Sequence, residues 1–463
     1  MVSRALTLAT LVAAVQLTGC SVFRSYDSEL QETNKQLAAG NVDAALALLE
    51  SNNKGDKKDL LYYFEKGELL RSKGDLKGSQ DAWRSADSVV FQWEESVKLD
   101  TDKYLSQFGS YLVNDKVRRY EGYDYEKVML TTQMALNLLA QNDFDGARTE
   151  IKKTHEREAI IAELRDKEYL KREEEAEKEG IKTEYKDLQG YPVASLDAPE
   201  VVGLKNSYQS AFSHYLSGYV YEALGEKGLA APGYRKAAEL RPNTPLLDQA
   251  LLELDKNSAK AGESDVLIVV QTGLAPARDS IRIPLPLPIQ DNLVITPLSF
   301  PIIREDTSTA HLSEIQLNDK ALALTALNST TAMSRRALRD DMPGIILRTS
   351  VRAISRGVAQ KNLNQTNPMA GLVVGIASTV LEGADTRTWR TLPDETQVAR
   401  VRLKQGEHHL SLPSSLGGTQ VTVKVDRPYQ VVSLRMVGNR VFAGGPAVVV
   451  APQATATAVA SLK

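Results

Sequence analysis

The sequence predicts a multidomain chain, with an all-α repeat region first and an α+β domain after it. Three observations lead there. From about Leu30 to Lys260 apolar residues recur at helical spacing, with glycines where tight turns between helices would fall. Near Ala261-Gly262 the pattern changes to β-branched runs and period-two alternation. Within the second region, Leu317–Glu382 returns to helical material. At 463 residues the chain has room for two or three cores.

The clearest helical unit is Ala211–Pro242, AFSHYLSGYVYEALGEKGLAAPGYRKAAELRP. Gly218 and Ala230 are small enough to let two antiparallel helices approach, and Tyr221 and Tyr234 fill the space beside them. Gly225 suits the turn, Ala237 continues the small face, and Pro242 prevents continuation. These positions resemble a tetratricopeptide repeat (TPR). One departure is Pro232, which that pattern tolerates only in the first turn of the second helix. Weaker copies lie upstream. Gly67, Leu70, Gly74, Ser79, Trp83 and Ala86 match nearly a whole unit; Gly40, Ala45 and Leu49 match a turn and second helix. Ala135, Leu138, Asn142 and Ala147 match in part, and Gly40 and Gly74 stand 34 residues apart, the family's period. The resemblance implies a TPR-like superhelix over residues 30–260, whose concave face binds peptides or protein segments. An unrelated helical bundle with glycine turns is the alternative.

A charged insertion near 150–180 interrupts the units. Glu163/Lys167, Glu168/Arg172 and Glu174/Lys178 are spaced one turn apart with the acid first. They predict a helix extending into solvent, or a docking arm for a partner.

The second region, 264–463, is expected to be an antiparallel sheet or small sandwich carrying a helical hairpin. Val266–Val270 reads as a buried strand. In SIRIPLPLPI, Ile281, Ile283, Leu285, Leu287 and Ile289 alternate with Arg282 and Pro284, Pro286 and Pro288, so the segment belongs at an edge or in an extended arm. It serves either as a docking strip or as an edge protected against aggregation. In the helical insertion near 317–382, Ala332–Gln360 carries Arg335, Arg336, Arg339, Arg348, Arg352 and Arg356, with Met342-Pro343-Gly344 as a break. Asn362–Asn367 would link this arm to Gly371–Leu381. The arginines form either a basic face for anionic lipid heads or glycan phosphates, or a solvated face paired with Asp340, Asp341 or Glu382.

The N-terminus explains the single cysteine. Met1–Arg4 brings one positive charge, Ala5–Val15 is a short apolar run, and Leu17-Thr18-Gly19-Cys20 follows. That run is too short for a permanent membrane span. The four residues resemble a bacterial lipobox, which implies a signal peptide over 1–19, removal before Cys20, and acylation of that cysteine. Two or more acyl chains, palmitate among them, give stable anchoring. Residues 20–29 would be anchor and linker. Ser21 stands where inner-membrane retention usually calls for Asp, so the resemblance implies the periplasmic face of the outer membrane. Cysteine spent on lipid leaves none for a disulfide.

Anchor, helical region and Ala384–His408 (ADTRTWRTLPDETQVARVRLKQGEH) together resemble proteobacterial TPR-containing outer-membrane lipoproteins of unassigned function. These often neighbour lipoprotein activators of penicillin-binding proteins. The resemblance implies a locale, cell-wall synthesis or envelope assembly, more than an activity.

Catalytic patterns are missing. His155, His214, His311, His408 and His409 make no HExxH or other zinc spacing, and no P-loop, nucleophile elbow or dinucleotide fingerprint occurs. A net charge of −3 supplies no global field for nucleic acid. The expectation is a non-enzymatic, cofactor-free scaffold that is anchored by lipid and binds envelope proteins. Acid pairing in space is invisible in a sequence, so a glycan- or peptidoglycan-acting enzyme stays open as an alternative, as does a ring-forming export component.

Overall fold

The computed structural model describes residues 26–108, 119–256, 262–289, 292–366, 383–413 and 418–451. The signal segment with Cys20, and Gly371–Leu381, lie outside the described residues.

Helices come first. They are α1 (Tyr26–Ala38), α2 (Val42–Asn52), α3 (Leu60–Lys73), α4 (Leu76–Leu99), α5 (Thr101–Phe108), α6 (Asp124–Ala140) and α7 (Phe144–Glu179). After them come the one-turn helices α8 (Val193–Leu196) and α9 (Pro199–Val202), then α10 (Ala211–Ala223), α11 (Lys227–Leu240) and α12 (Pro245–Glu253). Four pairs pack as hairpins: α1/α2, α3/α4, α6/α7 and α10/α11. Local chemistry sets the α3/α4 corner. Asp59 caps α3 by accepting from Tyr62 N, Gly74 closes it at φ +87°, and Asp75 caps α4 by accepting from Gly78 N.

Pro232 is the sixth residue of α11, beyond the first turn that the repeat pattern requires. The helix continues because the carbonyl left without its usual donor belongs to Gly228, on the exposed first turn. The charged insertion also begins later than expected. Ile151, Thr154, Arg157, Glu158, Ile161 and Leu164 of α7 are buried, and only the last turns, carrying exposed Tyr169 and Leu170, stand clear.

The strands are β1 (Glu263–Thr272), β2 (Ala277–Ile289), β3 (Asn292–Arg304), β4 (Glu314–Leu317), β5 (Lys320–Ala323) and β6 (Thr325–Ser329). Helix α13 (Thr330–Thr366) follows, then β7 (Glu395–Lys404), β8 (Gly406–Ser411), β9 (Gln420–Val425), β10 (Tyr429–Val437), β11 (Arg440–Ala443) and β12 (Val448–Val450). Two expectations fail here. Residues 317–329 are largely strand, and α13 runs unbroken through Pro343 and through Asn362–Thr366, so neither the expected break nor the linker exists there. Leu338, Met342, Ile345 and Ile346 are buried against the β2–β3 hairpin, and that burial offsets the roughly 3 kcal/mol a proline costs inside a helix.

Of the two expected arrangements, a single antiparallel sheet is replaced by two facing sheets, as a small sandwich requires, but one of them is not antiparallel. The central sheet, β11-β10-β1-β7-β6, is mixed: β1 pairs parallel with β10 (Ile268 opposite Val432) and antiparallel with β7 (Ile268 opposite Ala399). A second sheet, β12-β9-β8-β4-β5, is antiparallel. The middle of β1, Val266–Val270, is continuously apolar because both its faces are covered. Val266, Ile268 and Val270 meet the second sheet, while Leu267 and Val269 meet the helices. The protein is thus three layers: helices, mixed sheet, antiparallel sheet. The inner face of the helical layer is filled by the chain's own sheet.

Strands β2 and β3 form a separate two-stranded arm. Pairing continues unbroken through Pro284, Pro286 and Pro288, so these prolines occupy positions whose N–H would face away from the partner strand. Ile283, Leu287, Leu298 and Phe300 pack on α13.

Candidate functional site

Residues 384–393 carry no regular secondary structure, yet Thr388, Trp389, Thr391 and Leu392 are completely buried. The segment threads between α3 and α6. Glu65 of α3 accepts from Arg390 N (2.7 Å), Thr391 N (2.9 Å) and Thr391 Oγ1 (2.5 Å). Glu126 of α6 accepts from Trp389 N (2.7 Å), Thr388 Oγ1 (2.9 Å), Tyr123 N (2.9 Å) and the Tyr120 hydroxyl. Two buried carboxylates therefore satisfy backbone N–H groups that an extended chain could not pair otherwise. Trp389 stacks on Phe64 at 4.4 Å and meets Trp83 edge-on at 6.0 Å. Burial pushes the Glu65 carboxyl up to about 7 against the pull of its hydrogen bonds.

The same segment enters beside a pocket of about 180 Å³. Its walls come from α4–α5, the turn Arg119–Tyr123, α6, α7, the β2–β3 arm, α13 and Gly383–Arg387. Cations sit over aromatic rings: Lys127 Nζ lies 3.8 Å from the Trp93 centroid, and the Arg278 guanidinium 4.3 Å from that of Tyr123. Four acids line the pocket, and all have partners. Asp385 binds Arg387 (2.7 Å), Glu121 accepts from Tyr104 (2.6 Å), Glu168 binds Arg165, and Asp341 lies 3.9 Å from Arg165. Burial raises the Asp341 carboxyl. It also opposes the Glu168 carboxylate, but Arg165, Arg172 and Arg348 outweigh it and hold Glu168 below its ordinary range.

No protein-family model and no curated protein sequence matches this chain. Among solved structures, a tetratricopeptide repeat protein from Parabacteroides merdae is similar over 50% of this chain and 99% of its own, at 14% identity and a TM-score of 0.13. A score that low carries no argument about fold or function.

The repeat residues singled out from the sequence lie in or beside the hairpins, and none of them lines the pocket. A Cβ on Gly67 would fall 2.1 Å from Trp83 Nε1, and one on Gly218 would fall 2.4 Å from Tyr234 Cδ1. Ala86, Ala230 and Ala237 are completely buried and Tyr221 nearly so. Gly74 and Gly225 hold positive φ at turns, and Pro242 lies between α11 and α12. Cys20 lies outside the described residues. Of the arginines noted in α13, Arg335 pairs with Glu305, Arg336 with Asp340 and Arg339 with Asp197, while Arg348 and Arg352 reach the pocket. His408 and His409 bond to different partners, Asn318 and Thr422. Among the described residues no cluster of His, Cys, Asp and Glu could hold a metal, and no helix is long and apolar enough to cross a membrane. Sequence reasoning missed Arg278, Tyr123 and the Glu65–Glu126 clamp. The aromatic run Tyr120-Glu-Gly-Tyr123-Asp-Tyr125 was the available signal.

Proposed function

We propose that this chain is a non-enzymatic outer-membrane lipoprotein, anchored through Cys20, that binds protein partners in the periplasm through TPR-like helical hairpins. Cell-wall synthesis or envelope assembly is the setting. The observation that carries the reading is the grip of α3 and α6 on Thr388–Thr391, where helical hairpins hold an extended peptide by its backbone N–H groups. That inner site is filled by the chain itself, so partners dock on outward surfaces. The last turns of α7, with Tyr169 and Leu170 exposed, are one such surface. The experiment is a pull-down from solubilised membranes, wild type against Tyr169→Ser with Leu170→Ser, alongside lipid labelling of wild type and Cys20→Ala. Loss of partners in the double variant, and loss of label and outer-membrane fractionation in Cys20→Ala, support the proposal. A soluble, unlabelled wild type removes its foundation.

A second reading, an enzyme acting on envelope glycans, draws on one observation. Asp341 and Glu168 line the same pocket and their carboxyls are pushed in opposite directions. Their shared hold on Arg165 favours an ion-pair network instead. Digestion of purified sacculi separates the two: muropeptides released by wild type and not by Asp341→Asn would establish the enzyme.

A further inference from the structure

The outer half of the β2–β3 arm presents two unlike faces. On one, Ile283, Leu287, Leu298 and Phe300 are buried against α13. On the other, Pro284 lies across from Pro297 and Pro286 across from Ile295, and all four side chains are exposed, Ile295 by 72%. Residues 283–289 and 293–300 include no charged side chain. Soluble proteins rarely leave a contiguous apolar face in water without a use for it. Protection of an edge does not account for this one. Proline blocks strand pairing through the backbone, whereas its ring on the open face adds apolar surface where a charge would serve protection better.

We infer that this face lies on the surface of the bilayer that holds the lipid of Cys20, an inference that rests on the anchored reading above. Three observations favour a bilayer over a protein partner. First, the tether ends at the arm. Asp27 of α1 meets Arg304, the last residue of β3, at 3.7 Å, and Arg304 pairs with Ala277 at the arm's base. The chain from Cys20 to Tyr26 reaches at most about 20 Å, and β2 extends about 40 Å, so the arm starts within reach of the membrane and is long enough to lie along it. Second, Pro284, Pro286 and Pro288 remove the N–H donors from three successive outward positions of β2. That edge offers an incoming strand no donors there, and it carries fewer unpaired groups into an apolar phase. Third, Arg282 follows the apolar face toward the base, points the same way and is exposed. Its stem can lie on the apolar surface while the guanidinium meets anionic lipid heads. The sequence at the turn, Gln290-Asp291, is polar, so the arm rests on its side rather than entering tip first. Amphipathic elements of this kind sit about 5–10 Å deep, at the boundary of headgroups and acyl chains.

Site-directed fluorescence on the full-length acylated protein tests this. Cys20 is the chain's one cysteine, so with its thiol acylated an Ile295→Cys variant takes a single NBD label. Mass spectrometry first establishes the acyl group on Cys20. The protein is then reconstituted into vesicles of phosphatidylethanolamine and phosphatidylglycerol, three to one, with and without lipid carrying a doxyl quencher high on its acyl chain. The expected result is blue-shifted emission from the Ile295→Cys label. Its quenching by doxyl lipid should be at least twofold stronger than that of the same label on Val449→Cys, an exposed apolar position on the second sheet. Pro297→Cys, on the same face of the arm, should repeat the Ile295→Cys result. Arg282→Glu should at least halve the quenching at Ile295→Cys and leave the far-UV circular dichroism unchanged. Equal quenching of the Ile295→Cys and Val449→Cys labels would reflect the tether alone and overturn the inference. A label on the arm that is shielded from water but untouched by doxyl lipid, in a protein that sediments as a dimer, would give the face to a second copy and overturn it as well. Either result, with the acyl group present, leaves the anchor standing; a Cys20 without lipid removes anchor and inference together.

Discussion

Trp389 lies flat on Phe64, ring centroids 4.4 Å apart and planes within 12°, although 325 positions separate them in the sequence. This contact joins the first helical hairpins to the segment that leads into β7. Because Trp389 also touches Trp83 and is completely buried, its removal would open a cavity shared by both regions. Trp389→Ala is expected to cost about 3–5 kcal/mol. In urea unfolding, far-UV signal from the helices and near-UV signal from the aromatic core should shift together. Separate transitions would show that the helices stand without the segment.

Close packing within the hairpins makes a contrast between glycines. Gly67→Ala and Gly218→Ala would drive a methyl into Trp83 and Tyr234, and each is expected to destabilise by about 1–3 kcal/mol. Gly228, in the exposed first turn of α11, has nothing within 4 Å of the added carbon. Gly228→Ala should stabilise by about 0.5 kcal/mol. Thermal denaturation of the three variants reads the difference directly.

Glu65 ties folding to pH. Its carboxyl sits at about 7 in the folded protein against an ordinary 4.5, because burial penalises the charged form. The folded state therefore holds the proton more tightly than the unfolded chain. Stability contributed by this group is fully present below about 4.5, falls as pH rises toward 7, and is level above that. The loss across the window is on the order of 3 kcal/mol. Asp394, raised to about 6 mainly by burial, adds a slope of the same sign. Glu65→Gln should flatten much of the decline between pH 5 and 7 while leaving the Asp394 part, measured by urea midpoints at each pH.

Much of the fold was legible because its signals are local. Glycine and tyrosine at repeat spacing located α10/α11, and alternation located the β2–β3 arm. Non-local features left no such mark. The parallel pairing of β1 with β10 joins Ile268 to Val432, and nothing in either strand names its partner. Pro343 read as a break because local propensity disfavours it, whereas burial of Leu338, Met342 and Ile346 decides the matter. The arginines of α13 were visible as a basic face, but the pocket was not. Its residues come from separated parts of the chain, and Arg278 drew no notice in the sequence next to the prolines that follow it.

The seam between helices and sheet yields the sharpest test of buried charge. Arg71 and Arg435 are both buried, and Glu68, completely buried, is the anion between them. Arg435 Nε donates to Glu68 Oε1 at 2.8 Å, while Arg71 Nη1 lies 3.9 Å from Glu68 Oε2. Arg71 is otherwise held by neutral acceptors, Gln133 and Gln271 at 2.6 Å and Ser433 at 2.8 Å. Glu68→Gln keeps the volume but removes the nearest counter-charge of two buried guanidinium groups, leaving Arg435 only the more distant Asp306 and Asp394. The expected cost is about 3–5 kcal/mol. Adding Arg435→Met should recover part of it, because one of the stranded charges is then gone. If the double variant is less stable than the single one by the full cost of a buried arginine, the neutral hydrogen bonds of Arg435 to Met436 and Thr391, and not its charge pairing, dominate the seam.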